Sequence, residues 1–269
     1  MYKEEENKRF QNGLMEWKND THALSRFSYF DRNGGRSYLV RKKNIVSIAG
    51  IIVGIDRSYA GQKEGIKKKE QFCRLTIKVS RFSENFDEVP VIVAKKLIVH
   101  TPLRKSSYVK IDGKVHTGTY TKDGQKHKNV YVQAEDLKLL TKRAYDEIED
   151  KNRVLLSGRI CQLPRLRETN SGRRITDLML VINRGYSKKS FDYIPCIAWG
   201  SNASAASHLI EGDSIILVGR FQSRKYRKKI DFYEQEKTAY EVSILDYEMN
   251  DEKNNCKKYT KDETKKGDD

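Results

Sequence analysis

The chain has 269 residues and a formal net charge of +16, enough length for two domains of ordinary size and enough positive charge to be drawn to polyanions. No stretch approaches the roughly 18 apolar residues of a membrane-spanning helix, and the opening MYKEEENKRF is acidic where a secretory signal is basic and then apolar; the reading is a cytoplasmic protein without a membrane partner. Cysteines at 73, 161, 196 and 256 and the five histidines fall at no metal or catalytic spacing, so no metal, no cofactor and no enzyme activity are implied, and the first three cysteines read as buried free thiols.

Residues 1–43 read as an N-terminal extension. Phe10, Leu14 and Trp17 recur at helical spacing, and Asn33, Gly34 and Gly35 between two aromatic-rich halves predict a β-hairpin turn that needs positive φ. From Asn44 to Leu140 the pattern is strand after strand: IVSIAGIIVGI, FCRLTIKVSRF, DEVPVIVAKKL, YVKIDGKV and NVYVQAEDLKLL, each a short β-branched run closed by Gly, Asp or Lys. The lysine-rich stretches Gly61 to Glu70 and Lys122 to Lys128 read as mobile basic hairpin loops between them.

Residues 141–151 are short and charged, a plausible linker whose Glu147, Glu149 and Asp150 read as solubilising. Residues 152–249 then repeat the strand pattern with NRVLLSGRICQL, TDLMLVINRGY, FDYIPCIAWG, a small-residue helix SNASAASHL, SIILVGRFQSRKY and TAYEVSILDYEM. The two stretches align at a spacing of about 105 residues: Asn44, Val46 and Gly50 with Asn152, Val154 and Gly158; Arg81 with Arg184; Val89-Pro90 with Ile194-Pro195; Gly113 with Gly219. This is an internal duplication, and it predicts an all-β chain of two similar small barrels. Residues 250–269 are polar throughout and read as a disordered tail.

The second copy resembles the bacterial single-stranded-DNA-binding protein family, whose domain is the oligonucleotide-binding (OB) fold. The resemblance is carried by Asn152, Val154 and Gly158 in NRVLLSGRI, by Asn183 and Arg184 in VINR, by DYIPCIAWG, by the turn Glu211 to Asp213, and by VGRFQSRKY from Val218 to Tyr226. It implies two tandem five-stranded OB folds at 44–140 and 152–249. It also implies that Tyr186, Tyr193, Trp199 and Tyr226 stack on bases. The matching places in the first copy are Ser83 beside Phe82, Glu88, Ala94 and Tyr120, so most of that ring set is missing there and the first copy is expected to grip DNA weakly or serve in assembly.

Taken alone, Trp199 would more often be a core residue than a base platform. Alternation puts Ile194, Cys196 and Ala198 on one side of the strand and Tyr193, Pro195, Ile197 and Trp199 on the other, but the strand by itself does not decide which side is the core. The run Arg220 to Lys229 holds six cations and no acid, interleaved with Phe221 and Tyr226; Arg220, Arg224, Lys225, Arg227 and Lys228 are therefore candidate phosphate contacts, as is Arg184. Arg173 and Arg174, in TNSGRRITD, either close over a strand of DNA or merely flank a chain reversal.

The expected function is sequence-independent binding and protection of single-stranded DNA in replication, recombination or repair, in the cytoplasm at the nucleoid. Family members bring four OB folds together, which for two folds per chain implies a homodimer. They also end in an acidic tip with an aromatic anchor that recruits replication and repair proteins, whereas this chain ends KKYTKDETKKGDD with no such anchor. Two other readings stand beside it: an OB-fold replication or recombination accessory acting by protein–protein contacts, and a single-stranded RNA binder.

Overall fold

The computed structural model describes residues 44–57, 72–81, 85–122, 125–169, 171–185, 190–230 and 233–250, together with two short strands, β1 (Tyr29–Phe30) and β2 (Arg36–Ser37). β1 and β2 pair antiparallel, Tyr29 opposite Ser37 and Phe30 opposite Arg36. The predicted helix of Phe10, Leu14 and Trp17, the turn at Asn33, Gly34 and Gly35, the stretch 61–70 and the tail 251–269 lie outside the described residues.

From Asn44 the strands are β3 (Asn44–Asp56), β4 (Phe72–Ser80), β5 (Phe86–Ala94), β6 (Tyr108–Lys122) and β7 (Gln125–Leu140). They close a ring in the order β3, β4, β5, β7, β6 and back to β3, with only the β5–β7 pair parallel. The second copy repeats the ring with β8 (Asn152–Ile160), β10 (Arg174–Asn183), β11 (Phe191–Trp199), β13 (Tyr233–Met249) and β12 (Ser214–Ile230), again with one parallel pair, β11–β13. Each ring is the five-stranded barrel of an OB fold. A short strand β9 (Arg165–Glu168), which no apolar alternation announces, adds to the edge of β10. Alternation supplies the core, since every second residue faces inward. Val46, Ile48, Ile52, Leu75, Ile77, Val89 and Val91 line the first barrel, and Val154, Leu156, Leu180, Ile194, Leu217 and Phe221 the second, in one continuous apolar cluster. Cys73 and Cys196 are buried thiols whose pKa burial pushes up, whereas Cys161 is only half-buried.

The two barrels share a sheet. β3 and β8 pair antiparallel with Asn44 opposite Leu156, Val46 opposite Val154 and Ile48 opposite Asn152, a register symmetric about the duplicated valines. The intervening segment is not plain linker: Thr141 Oγ1 accepts from the Ala144 N–H to cap α1 (Lys142–Asp146), and the buried Tyr145 packs its ring 4.8 Å from that of Tyr108. A second short helix, α2 (Ser201–Ala206), follows β11. Among the described residues no helix is long and apolar enough to cross a membrane.

The duplicated asparagines and glycines have structural reasons. β6 is bulged between Asp112 and Gly113, and β12 between Val218 and Gly219. A Cβ at Gly113 would sit 2.1 Å from the Gln133 carbonyl oxygen, and one at Gly219 would sit 2.4 Å from that of Ser243, so only glycine allows the strands so close. Beyond the bulge the barrel ladder between β3 and β6 stops at the Val46–Gly113 pair. The Asn44 side chain takes over there, donating to the Val115 carbonyl (2.6 Å) and accepting from its N–H (2.8 Å). Asn152 does the same for Phe221 at 2.7 and 2.9 Å. These brackets satisfy backbone groups that would cost about 1–3 kcal/mol each if buried unpaired.

After their bulges both hairpins run on well past the barrels. The stretch Lys122 to Lys128, expected to be a mobile loop, is instead mostly strand, with β6 reaching Lys122 and β7 beginning at Gln125.

Candidate nucleic-acid interface

β11 decides which row of side chains is available. Ile194, Cys196 and Ala198 face the core, while Tyr193 (48% exposed) and Phe191 (40% exposed) stand outward on the same row as the half-buried Pro195 and Trp199. The remaining member of that row, Ile197, is buried. Trp199 lies directly across from Ile175 on β10, and the Gly200 N–H donates to the Arg174 carbonyl at 3.0 Å. This fixes Arg173 and Arg174, both exposed, at the tryptophan end of the face. They flank a chain reversal tied by Thr169, whose N–H donates to the Arg173 carbonyl (2.9 Å) while its Oγ1 accepts from the Arg173 N–H (3.1 Å), with Gly172 at φ +71°.

Tyr226 is 38% exposed on β12, with the Arg224 guanidinium 5.7 Å from its ring centre. The run read as free of acid is not free of it in space, because the returning strand β13 brings carboxylates alongside: Arg224 with Glu241 (3.5 Å), Lys225 with Glu236 (3.1 Å) and Arg227 with Glu234 (3.5 Å). Glu236, and to a lesser degree Glu88, hold the Lys225 pKa up. Arg220 is half-buried at the base of the hairpin. Tyr186 lies outside the described residues; Tyr120, on β6, and Lys228, on β12, are described in their backbone only.

Each hairpin docks on the other barrel. Ser223, just past the Phe221 bracket, reaches β5: its N–H donates to Asp87 Oδ1 (2.8 Å), its Oγ accepts from the Glu88 N–H (3.0 Å), and its carbonyl accepts from Arg81 Nη2 (3.1 Å). Arg81 also grips the buried Asp87 through two bonds of 2.9 and 2.6 Å, which raise the guanidinium's pKa. The mirror contact joins Thr117 of β6 to β11. The Thr117 N–H donates to Asp192 Oδ1 (2.6 Å), the Tyr193 N–H donates to Thr117 Oγ1 (3.2 Å), and Arg184 Nη2 donates both to the Thr117 carbonyl and to Asp192 Oδ1. His116 adds a bond from Nδ1 to Asp192 Oδ2 at 2.7 Å.

Arg184, expected as a phosphate contact, is half-buried, and its guanidinium bonds Asp192 and Thr117, clamping one barrel to the other. Burial pushes the Asp192 carboxyl up, but the bonds from His116 and Arg184 outweigh it and hold the pKa below the ordinary value. The exchange also divides the expected ring set. Tyr193 and Trp199 stand on the second barrel, whereas Tyr226 and its cations extend from Ser223 beside β5 of the first. The first barrel also presents a ring that the sequence reading passed over. Phe86 is 45% exposed with Lys78 Nζ 4.0 Å from its ring centre. It is the repeat mate of Phe191, and both lie on the strand row that holds Tyr193 and its repeat mate Glu88. Of the places matched to the stacking set, Glu88 is exposed and Ala94 is buried opposite Phe72.

A profile of the single-strand binding protein family matches residues 151–250, the second barrel. The single-stranded DNA-binding protein B of Bacillus subtilis is 30% identical over 102 residues, covering 35% of this chain and 90% of that protein. The chain belongs to the single-strand binding protein family. Another member, the single-stranded DNA-binding protein of Thermus aquaticus, is 30% identical over 131 residues, 44% of this chain and 50% of its own length, so the chain spans about half the length of that relative. The crystal structure of the wild-type T. aquaticus protein superimposes with a TM-score of 0.55 at 22% identity, covering 78% of this chain and 94% of that one. The likeness in fold thus extends well beyond the barrel that the family profile matches.

Proposed function

We propose that the chain binds single-stranded DNA without sequence preference and without catalysis, protecting it during replication, recombination or repair. The observation that carries this reading is the outward row of β11, where Phe191, Tyr193 and Trp199 stand on one face with Arg173 and Arg174 fixed at its end. Rings offer any base a flat partner worth about 1–3 kcal/mol each, and the cations follow the backbone. Family membership and the basic excess of the chain support it. The protein acts in the cytoplasm at the nucleoid, as a homodimer that gathers four barrels, and replication or recombination proteins are its partners.

Anisotropy of labelled oligo-dT tests the reading. Tight binding at low salt is expected, with log affinity falling against log salt by about 0.7 per phosphate neutralised, and Trp199→Ala weakening it by about tenfold. Absence of binding at low salt, or an affinity that Trp199→Ala leaves unchanged, counts against it. Sedimentation at micromolar concentration should return twice the chain mass; the mass of one chain contradicts the dimer.

A further inference from the structure

The docked hairpin adds a ring and cations to those of the first barrel's own strands. Ser223 is held to β5 by bonds to Asp87, Glu88 and Arg81, and Asp87 is itself buried, so this end of the hairpin is fixed and does not swing. The residues that follow, Arg224, Lys225 and Tyr226, are therefore delivered to the start of β5, where Phe86 and Glu88 face outward. The nearness is electrostatic as well as topological, since Glu88 acts on the Lys225 ammonium. Lys78, opposite Glu88 on β4, lies over the Phe86 ring.

We propose that these groups form a second nucleobase site, composed across the junction of the two barrels, with Phe86 and Tyr226 as its rings and Lys78, Arg224 and Lys225 as its phosphate contacts. The proposal rests on the single-stranded-DNA reading above and extends it to the barrel outside the family match. Chemistry selects the ligand. An exposed ring flanked by an ammonium suits a base whose neighbouring phosphates take the cation, and Arg224 over Tyr226 repeats that arrangement 5.7 Å from the ring. The exposed pair of Lys225 with Glu236 does not oppose it, because such pairs are weak and the carboxylate returns to water when a phosphate replaces it; Arg224 keeps its pair with the buried Glu241 and offers a phosphate its remaining donors.

The full-length chain and a labelled oligo-dT long enough to reach both barrels test the proposal by anisotropy at low salt. Phe86→Ala and Tyr226→Ala are each expected to weaken binding by about five- to tenfold. The double variant should lose less than the product of the two losses, since both rings serve one site. Phe86→Tyr, which keeps the flat face, should bind like the parent. Phe86→Ala combined with Trp199→Ala should show losses that multiply, the two rings belonging to different sites. Because Phe86 is exposed, its truncation leaves the thermal unfolding midpoint in place, which is measured alongside. If Phe86→Ala binds within twofold of the parent while Trp199→Ala binds weakly, the composite site is overturned and the reading of the second barrel stands. If the parent itself fails to bind, both fall.

Discussion

Asp192 shows how one buried carboxylate can hold two barrels together. Its two oxygens take bonds from Thr117, His116 and Arg184, and Asp87 does the same work with Arg81 and Ser223 at the mirror position. A carboxyl whose pKa is lowered on folding stabilises the fold at every pH above its unfolded value, about 4, and yields that contribution as the pH falls through the folded value. Asp192→Asn leaves the half-buried Arg184 without its counter-charge, and breaking such a pair costs up to about 3 kcal/mol. Urea unfolding at pH 7 should therefore show the variant less stable by that amount. The gap should close progressively below about pH 4, where the parent loses its charge as well. A gap that does not change with pH would mean that the clamp works by shape and not by charge.

At the level of strands and hairpins, what could be read in the sequence divides by range. The barrel strands were legible because each buries alternate residues in the core, as Val154, Leu156 and Ile160 or Leu178, Leu180 and Ile182 do. The duplication was legible because Asn44 and Asn152, Gly113 and Gly219 are each held by the same local constraint. The hairpin arms were not, since past His116 and Phe221 no described residue of β6 or β12 is buried and no apolar period marks Lys122 to Lys128 as strand. Arg184 was legible as a repeated residue, but its part in joining the barrels was not, for its partner Thr117 lies 67 residues away. The run Arg220 to Lys229 holds no acid of its own, and its ion pairs were not legible because the carboxylates arrive from β13. Tyr193 and Trp199 were found through the family resemblance; Phe86 was missed because the first copy was searched only at the places corresponding to the second copy's rings.

Residues 44–249 form an internal dimer of two barrels. The β3–β8 register is symmetric about Val46 and Val154, each hairpin docks on the opposite barrel, and both docking points use an arginine–aspartate pair. An isologous interface of this kind is self-complementary, and that has a consequence for residues 152–249 made as a separate chain. Alone, this barrel would expose the β8 edge, an open template for pairing, and leave Asp192 without Thr117 and His116. A second copy supplies both needs. Val154 would pair with Val154 as it now pairs with Val46, and Ser223, the repeat mate of Thr117, already donates its N–H to an aspartate at the equivalent position. Gln222 would stand where His116 stands. Residues 152–249 are therefore expected to sediment as a symmetric dimer at micromolar concentration, and Leu155→Pro, which removes a ladder donor on the edge that faces the partner strand, is expected to shift that dimer toward monomer or aggregate. A soluble, folded monomer of the unaltered fragment would show that the pairing of β3 with β8 follows from the tether and not from complementarity of the two surfaces.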